Sequence, residues 1–239
     1  MTDRGLLLVL DTATRTPTLA LVDPDGGVIA ERQWQSEHRH GEQLLQRLDE
    51  LLSEIGAEPR DLNGVICGIG PGSFTGLRIG LATAKTIAYS LDAPIVGVST
   101  TRALGLAAVW GDGARHEICV VLPAGAADRY VDRMIIEGEL VDDADPPQLV
   151  AGDGAFAEAV RDAELIAVDL AGAEDIPDDA IERGEQAVGG LARALGRLGV
   201  AALAERKTDD IPRLVPAYVA LPRGIAKAVA EMTWSPDLR

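Results

Sequence analysis

The fold of this chain is organised around GIGPGSFTGLR, which runs from Gly68 to Arg78. This stretch joins an apolar run typical of a buried strand to an amphipathic helix, with Ser73 as the expected N-cap. Backbone amides at such a turn, together with the helix dipole, favour an anion. The spacing nevertheless differs from the dinucleotide and Walker fingerprints, because Ser73 stands where a glycine is needed and no lysine follows.

In the first half of the chain, the spacing of the apolar residues changes from the pattern of strands to that of a helix. Short apolar runs predict three strands separated by turns, and a stripe of leucines then predicts an amphipathic helix. The expected order is strands at 6–10, 16–22 and 28–35, helix 41–55, strand 64–69, helix 73–91, strand 94–98 and helix 101–109.

The second half repeats this order more weakly. The pattern predicts strands at 117–122, 130–136, 139–141, 149–151 and 165–168, helices at 155–161 and 186–205, and an acidic loop at 142–147. Two copies of a β-meander followed by βα units indicate an α/β, duplicated ribonuclease-H-like fold of the actin/hexokinase/Hsp70 class. We expect lobes at 1–110 and 111–206 and a largely irregular tail at 207–239, with a short helix near 225–232.

Composition narrows the functional classes. The net charge is −16, with 22 basic against 38 acidic residues and 3% aromatics, so stand-alone nucleic-acid binding is disfavoured. Cys67 and Cys119 lie in apolar runs and are expected to be buried free thiols. The apolar run at 6–10 is too short for a signal peptide or a span, and no later run approaches 18 residues. We therefore predict a cytoplasmic protein without membrane association.

Two features could hold a nucleotide or phosphate. An aspartate followed by hydroxyl residues comes directly after the first strand, the position where the actin-like class holds phosphate and its metal; a simple capping turn is the alternative. Arg78 opposes the helix dipole and so calls for a carboxylate or phosphate partner, either internal or from a ligand. The candidate contacts are Asp11, Thr12, Thr14, Gly70, Gly72, Ser73 and Arg78.

Small residues recur every four positions along the helix at 73–91. Two glycines inside a helix cost about 1 kcal/mol each relative to alanine, so close approach of another element must offset them. That element is either the protein's own sheet or a partner's helix. The residues of this stripe are Gly76, Gly80, Ala84 and Ala88.

A catalytic set does not emerge from the sequence. The three histidines are His38, His40 and His116, and none forms a metal-binding pair at four-residue spacing. No nucleophile–base pair can be drawn either, which argues against a peptidase. We therefore predict no catalytic residues, no metal site and no cofactor of the chain's own.

Several of these segments resemble the bacterial TsaB (YeaZ) family. The resemblance rests on DTAT at 11–14, HGEQL at 40–44 and, above all, GPGSFTGLRIG at 70–80. It is looser in the second half, at 128–130, 151–154 and 216–219. Gly41 departs from the family's usual serine, and neither the acidic loop at 142–147 nor the tail after Arg223 matches a known pattern.

The resemblance implies a non-catalytic member of the actin-like class. Such proteins work with TsaD and the ATPase TsaE to form N6-threonylcarbamoyladenosine beside the anticodon of tRNAs that read A-starting codons. TsaD holds a metal through two histidines four apart on a helix, a pair absent here. The resemblance also implies a TsaD heterodimer through the helices at 41–55 and 73–91, a homodimer when alone, and tRNA contact only through the complex. The candidate interface residues on these two helices are Leu44, Leu48, Leu51, Gly76, Leu77, Gly80, Leu81, Ala84 and Ala88. Weak nucleotide binding stays open, and the alternative is an ATP-dependent transferase or kinase with its own cleft.

Overall fold

The computed structural model describes residues 5–35, 40–125 and 128–219. The predicted helix near 225–232 lies outside this part of the chain.

The first sheet is a meander extended by two parallel strands. Its strands are β1 (Leu6–Asp11), β2 (Thr18–Val22), β3 (Val28–Gln33), β4 (Leu62–Gly68) and β5 (Ile95–Val98), in the order β3-β2-β1-β4-β5. β1 pairs antiparallel with β2 and parallel with β4. β1 and β2 are buried along their whole length, because helices cover both faces of the sheet.

Three helices belong to this half: α1 (His40–Glu54), α2 (Phe74–Leu91) and α3 (Thr100–Ala108). The predicted cap of α2 is confirmed, since the Ser73 side chain accepts a hydrogen bond from the Gly76 amide at 3.2 Å. α1 and α2 cover one face of the sheet through a leucine-rich core. α3 lies on the opposite face.

The second sheet repeats the topology of the first in shortened form. It contains β6 (Arg115–Pro123), β7 (Asp128–Glu137), β8 (Leu140–Asp143), β9 (Gln148–Ala151) and β10 (Glu164–Ala167), with helices α4 (Asp153–Ala159), α5 (Asp178–Gly189) and α6 (Leu191–Ala204). The order is β10-β6-β7-β8, and β9 also pairs with β7. β6 pairs antiparallel with β7 and parallel with β10, just as β1 pairs with β2 and β4. The duplicated ribonuclease-H-like fold is thereby confirmed.

A single hydrophobic core fills the space between the two sheets. It combines residues of α3, α5 and α6 with the inner faces of both sheets. α6 comes from the second half of the chain but packs on the first sheet, where a Cβ at Gly199 would lie 2.5 Å from Ile66. The halves therefore exchange helices, and the predicted boundaries at 110 and 206 stay predictions.

The prediction of one helix over 186–205 is wrong. α5 and α6 are separate helices that meet at Gly190 with a bend of 58°. Two consecutive glycines, Gly189 and Gly190, have the lowest helix propensity apart from proline, and the chain turns there. Among the described residues no single helix is long and apolar enough to cross a membrane, and only this bent pair reaches that length when counted together.

Two smaller expectations are settled by the strand pairing and the core. The acidic loop begins later than predicted, because Asp142 and Asp143 belong to β8 and pair with β7. Both cysteines are buried free thiols, as predicted. Burial raises the pKa of the Cys119 thiol to about 12.

The tail from Lys207 to Val219 crosses the edge of the first sheet and then follows α2. The Asp209 amide donates to the Ile95 carbonyl at 2.9 Å, which caps the β5 edge. Further along, the Lys85 ammonium donates to the Leu214 carbonyl at 3.0 Å. This part of the tail contains no helix or strand, as predicted, and it brings Tyr218 to the first turn of α2.

Candidate functional site

The glycine-rich turn closes over the end of β1. Thr100, the first residue of α3, donates its hydroxyl to Asp11 Oδ2 at 2.6 Å and accepts the Gly70 amide at 3.0 Å. The Ala13 amide donates to Asp11 Oδ1 at 2.7 Å. A Cβ at Gly68 would lie 1.7 Å from Asp11 Oδ2, so only glycine fits beside this carboxyl group. Both oxygens of Asp11 are thus occupied from within the chain.

Asp11 is fully buried, and its electrostatics follow from that burial. Loss of solvent raises the pKa of the carboxyl group, and the hydrogen bonds from Thr100 and the Ala13 amide oppose this rise. A carboxylate enclosed in this way organises the turn. Each of its oxygens accepts a hydrogen bond that ties the end of β1 to α3 or to the residues after β1.

The glycines of α2 are explained by the residue that follows β1. The Thr12 hydroxyl donates to the Gly76 carbonyl at 2.7 Å. A Cβ at Gly76 would lie 2.0 Å from the Thr12 carbonyl oxygen, and one at Gly80 would lie 2.1 Å from the Thr12 hydroxyl. The element that approaches the small-residue stripe is therefore the protein's own first sheet, which is one of the two alternatives that the sequence left open.

The candidate interface residues occupy the same core. All nine are buried: Leu44, Leu48, Leu51, Gly76, Leu77, Gly80, Leu81, Ala84 and Ala88. Their side chains pack inward, so a partner approaching α1 and α2 would meet other residues first. The exposed face of these helices carries Leu45 and Tyr89, which are 58% and 79% exposed.

A groove separates α1 from α2 on that exposed face. Its volume is about 240 Å³ and its lining is mostly apolar: Leu45, Leu48, Asp49, Leu52, Pro59, Leu62, Thr86, Ile87, Ser90 and Leu91. We call this the α1–α2 groove. The sequence pointed to these two helices but not to this side of them, because Leu45 lies at the edge of the leucine stripe.

A cleft lies between the two sheets, next to the glycine-rich turn. Its volume is about 660 Å³, and an adjoining pocket of about 400 Å³ opens towards α5. Arg15 and Asp169 line both spaces, and the Arg15 amide donates to Asp169 Oδ2 at 2.7 Å. Burial raises the pKa of Asp169, while the hydrogen bond from Arg15 opposes the rise. This bridge ties the β1–β2 turn to the second lobe across the cleft.

The structure separates the candidate phosphate contacts into two groups. Thr14, Gly72 and Ser73 line the cleft, whereas Asp11, Thr12, Gly70 and Arg78 do not. Two of the three lining residues are already engaged: the Thr14 hydroxyl donates to the Thr16 carbonyl at 3.0 Å, and the Ser73 amide donates to the Ala13 carbonyl at 2.7 Å. Among the described residues that line the cleft, the basic side chain is that of Arg15.

Arg78 has a different partner from the one predicted. Its guanidinium lies 4.1 Å from the centre of the Phe74 ring, and its Nε donates to the Tyr218 hydroxyl at 3.2 Å. The Phe74 and Tyr218 rings are 5.4 Å apart. Within the described chain, Arg78 therefore contacts an aromatic pair, one member of which comes from the tail.

Sequence reasoning missed a second buried carboxylate at the start of α3. Asp132 on β7 is 2% exposed and accepts the Thr101 hydroxyl through Oδ2. Its Oδ1 has no hydrogen-bond partner. Burial raises the pKa of Asp132 to about 6. The sequence does contain one indication, the run of three hydroxyl residues at 99–101. A helix needs one such residue as its N-cap, so the other two hydroxyls are available for buried partners.

His116 is paired with two carboxylates. His116 lies on β6, where its Nδ1 is 2.8 Å from Glu164 and its Nε2 is 3.2 Å from Asp112. Both carboxylates raise its pKa. In residues 5–35, 40–125 and 128–219, no three His, Cys, Asp or Glu side chains converge as metal ligands would.

Replacing Thr100 with valine is expected to lower the free energy of unfolding by about 2–4 kcal/mol. The change keeps the shape but leaves the Asp11 carboxyl and the Gly70 amide without partners in a buried site. Urea denaturation followed by circular dichroism measures the loss. Thr86→Val on the exposed side of α2 is the matched control, expected within about 0.5 kcal/mol of wild type. Equal stability of the two variants would contradict this role of Thr100.

The fold and the site together define a two-lobed protein of the actin-like fold class, whose glycine-rich turn is hydrogen-bonded to Thr100 and to the residues after β1. A family model described as TsaD, tRNA N6-adenosine threonylcarbamoyltransferase, matches residues 13–161. This is more than half of the chain, and the chain belongs to that family.

Relatives within the family support the resemblance to TsaB. The chain is 39% identical over 98 residues to the tRNA threonylcarbamoyladenosine biosynthesis protein TsaB of Bacillus subtilis, and the match covers 41% of this chain and 42% of that protein. It is 33% identical over 115 residues to Escherichia coli TsaB, covering 48% and 49%. The chain therefore spans about half the length of these relatives. YeaZ from Pseudomonas aeruginosa has the same fold, with a TM-score of 0.67 at 20% identity over 90% of this chain and 99% of that one.

Proposed function

We propose that this protein is the non-catalytic partner of TsaD in the formation of N6-threonylcarbamoyladenosine in tRNA, acting in the cytoplasm together with the ATPase TsaE. The observation that supports the proposal is the glycine-rich turn of a TsaD-family member, in which Asp11, Thr12 and Gly70 are held by hydrogen bonds from within the chain. On this proposal the turn holds the first sheet, α2 and α3 together and does not carry out chemistry. Its contribution is then a surface.

The surface that best suits a protein partner is the exposed side of α1 and α2. Leu45 and Tyr89 are the large exposed apolar residues there, and Leu45 lines the apolar α1–α2 groove. Exposed apolar side chains next to a groove are typical of an interaction site. TsaD docks on this face, and in its absence a second copy of the chain pairs through the same face.

Contact with tRNA is made by the complex as a whole. The net charge of −16 repels phosphate, and basic residues are outnumbered 22 to 38. The positive surface for the tRNA then comes mainly from TsaD.

The second candidate is an ATP-dependent transferase or kinase, which the cleft of about 660 Å³ beside Ser73 and Asp169 favours. The absence of a lysine among the cleft-lining residues described here counts against it. ATP turnover by the purified protein that is abolished by Asp169→Asn would support this candidate. Turnover unaffected by that change would come from a contaminant.

The docking face is tested by adding a charge to it. Leu45→Asp is expected to weaken binding to TsaD from the same organism roughly tenfold or more, because the aspartate would lose its solvation in an apolar contact. Light scattering after size exclusion and calorimetric titration measure the complex. Gln46→Asp places the same charge on the neighbouring exposed residue and is expected to bind nearly as wild type. Unchanged affinity of Leu45→Asp would place the interface elsewhere.

A further inference from the structure

The α1–α2 groove leaves apolar surface uncovered on the outer side of this helix pair. Leu45 on its rim is 58% exposed. Four of the other lining residues are also leucines. Such a groove suits one face of an amphipathic helix, which buries its apolar residues between two others. The question is which segment lies closest to it.

The described tail ends on the same helix. Arg78, in the second turn of α2, donates a hydrogen bond to the Tyr218 hydroxyl. Lys85, which does not line the groove, donates one to the Leu214 carbonyl. The tail thus runs along α2 towards its N-terminal end. Twenty residues, 220–239, follow Val219 in the sequence.

The sequence after Val219 begins with a turn pattern and continues with a helical one. Pro222 and Gly224 occupy the positions that a type I turn favours, with one residue between them. Ile225, Val229 and Met232 then recur at i, i+4 and i+7, a single apolar stripe. Lys227 and Glu231 fall on the other side of that helix, so residues 225–232 form an amphipathic pattern of the kind the groove accepts.

The distances permit this segment to reach the groove. Arg78 and Thr86 are eight residues apart on α2, which is about 12 Å along the helix axis. Five extended residues, 220–224, span up to about 18 Å.

We propose that residues 225–232 of the same chain dock in the α1–α2 groove and cover it until a protein partner displaces them. The docking itself needs no other protein. Its regulatory meaning rests on the proposed function, because TsaD would compete with the segment for the same face. A competitor can bind only to molecules whose groove is free. Its apparent affinity is therefore the intrinsic affinity multiplied by the fraction of molecules with a free groove.

Docking is tested on the full-length protein alone by cysteine cross-linking. Leu45→Cys combined with Val229→Cys is expected to form a disulfide within the monomer peak of a dilute sample. Leu45→Cys with Lys227→Cys is the control, since residue 227 faces away from the groove in the proposed helix. The native Cys67 and Cys119 are buried and do not interfere. Cross-linking only between two chains, or equally in both pairs, would overturn the proposal.

Competition is tested separately with TsaD. Val229→Asp is expected to raise the affinity for TsaD roughly fivefold, because it releases the segment, whereas Ala230→Asp on the solvent side leaves it unchanged. If the cross-link forms but TsaD does not bind wild type or Val229→Asp, the docking stands and the proposed function fails. If TsaD binds but Val229→Asp changes nothing, the segment is no competitor and this part of the proposal is overturned.

Discussion

Gly76→Ala is expected to destabilise the protein by about 2–3 kcal/mol, although the same change stabilises an ordinary helix by about 1 kcal/mol. The reason is local and steric. A Cβ at Gly76 would lie 2.0 Å from the Thr12 carbonyl oxygen, which belongs to the backbone and cannot rotate away. Relief requires α2 to move off the first sheet, which would also break the hydrogen bond from the Thr12 hydroxyl to the Gly76 carbonyl.

Thermal unfolding measures this loss, and a drop in Tm of roughly 5–10 °C is expected for a chain of this size. Gly154→Ala is the matched control, because Gly154 also lies in a helix and nothing comes within 4 Å of its added Cβ. The control is expected to be neutral or slightly stabilising. A Gly76→Ala protein as stable as this control would mean that α2 does not pack on Thr12 as described.

Asp132→Asn is expected to remove a pH dependence of stability worth on the order of 3 kcal/mol. The pKa of Asp132 is raised by burial from 3.8 to about 6, so between these values the folded protein holds a proton that the unfolded chain has lost. Stability from this group is therefore greatest at low pH and falls as the pH rises through about 6. Asparagine has no proton to lose and keeps an oxygen that can accept from Thr101.

Urea unfolding at pH 4, 5, 6 and 7 measures the effect as the difference between wild type and variant. The variant is expected to gain on wild type across this range and to level off above pH 6. Asp142→Asn, an exposed change on β8, serves as the control for the loss of one negative charge. A difference that stays constant with pH would show that Asp132 is ionised normally in the folded protein.

The elements of the first lobe could be predicted because their hydrophobic periods are clear. The run at 6–10 and the leucine stripe at 44–55 leave little ambiguity about type, and only the ends shift by a few residues. The α5–α6 bend could not be predicted in the same way. Apolar residues continue on both sides of Gly190, and the period alone does not say where the axis changes direction.

The candidate site was predicted in its outline but not in its connections. Four-residue spacing of glycines correctly required a close neighbour for α2, yet nothing local identified Thr12, which lies 64 residues away. Thr100 and Asp11 are 89 residues apart and meet only because β1 and β5 flank β4. Such contacts depend on sheet order, which is fixed by the whole fold.

The exposed face of α1 and α2 was the least accessible to sequence reasoning. The stripe of α2 that contacts the protein's own sheet is the clearest pattern in the sequence of this helix. The candidate interface residues therefore came from that buried stripe and not from the exposed side. Leu45 and Tyr89 are distinguished from the core leucines only by exposure. That property belongs to the folded protein.

Reconstituted tRNA modification tests the central claim most directly. TsaD from the same organism, TsaE, tRNA and the threonylcarbamoyl donor are combined with wild type, with Leu45→Asp, with Gln46→Asp or with no added chain, and N6-threonylcarbamoyladenosine is quantified by mass spectrometry. The account predicts that modification depends on the chain, is strongly reduced with Leu45→Asp and reaches nearly the wild-type level with Gln46→Asp. Modification that proceeds equally well without the chain would contradict it.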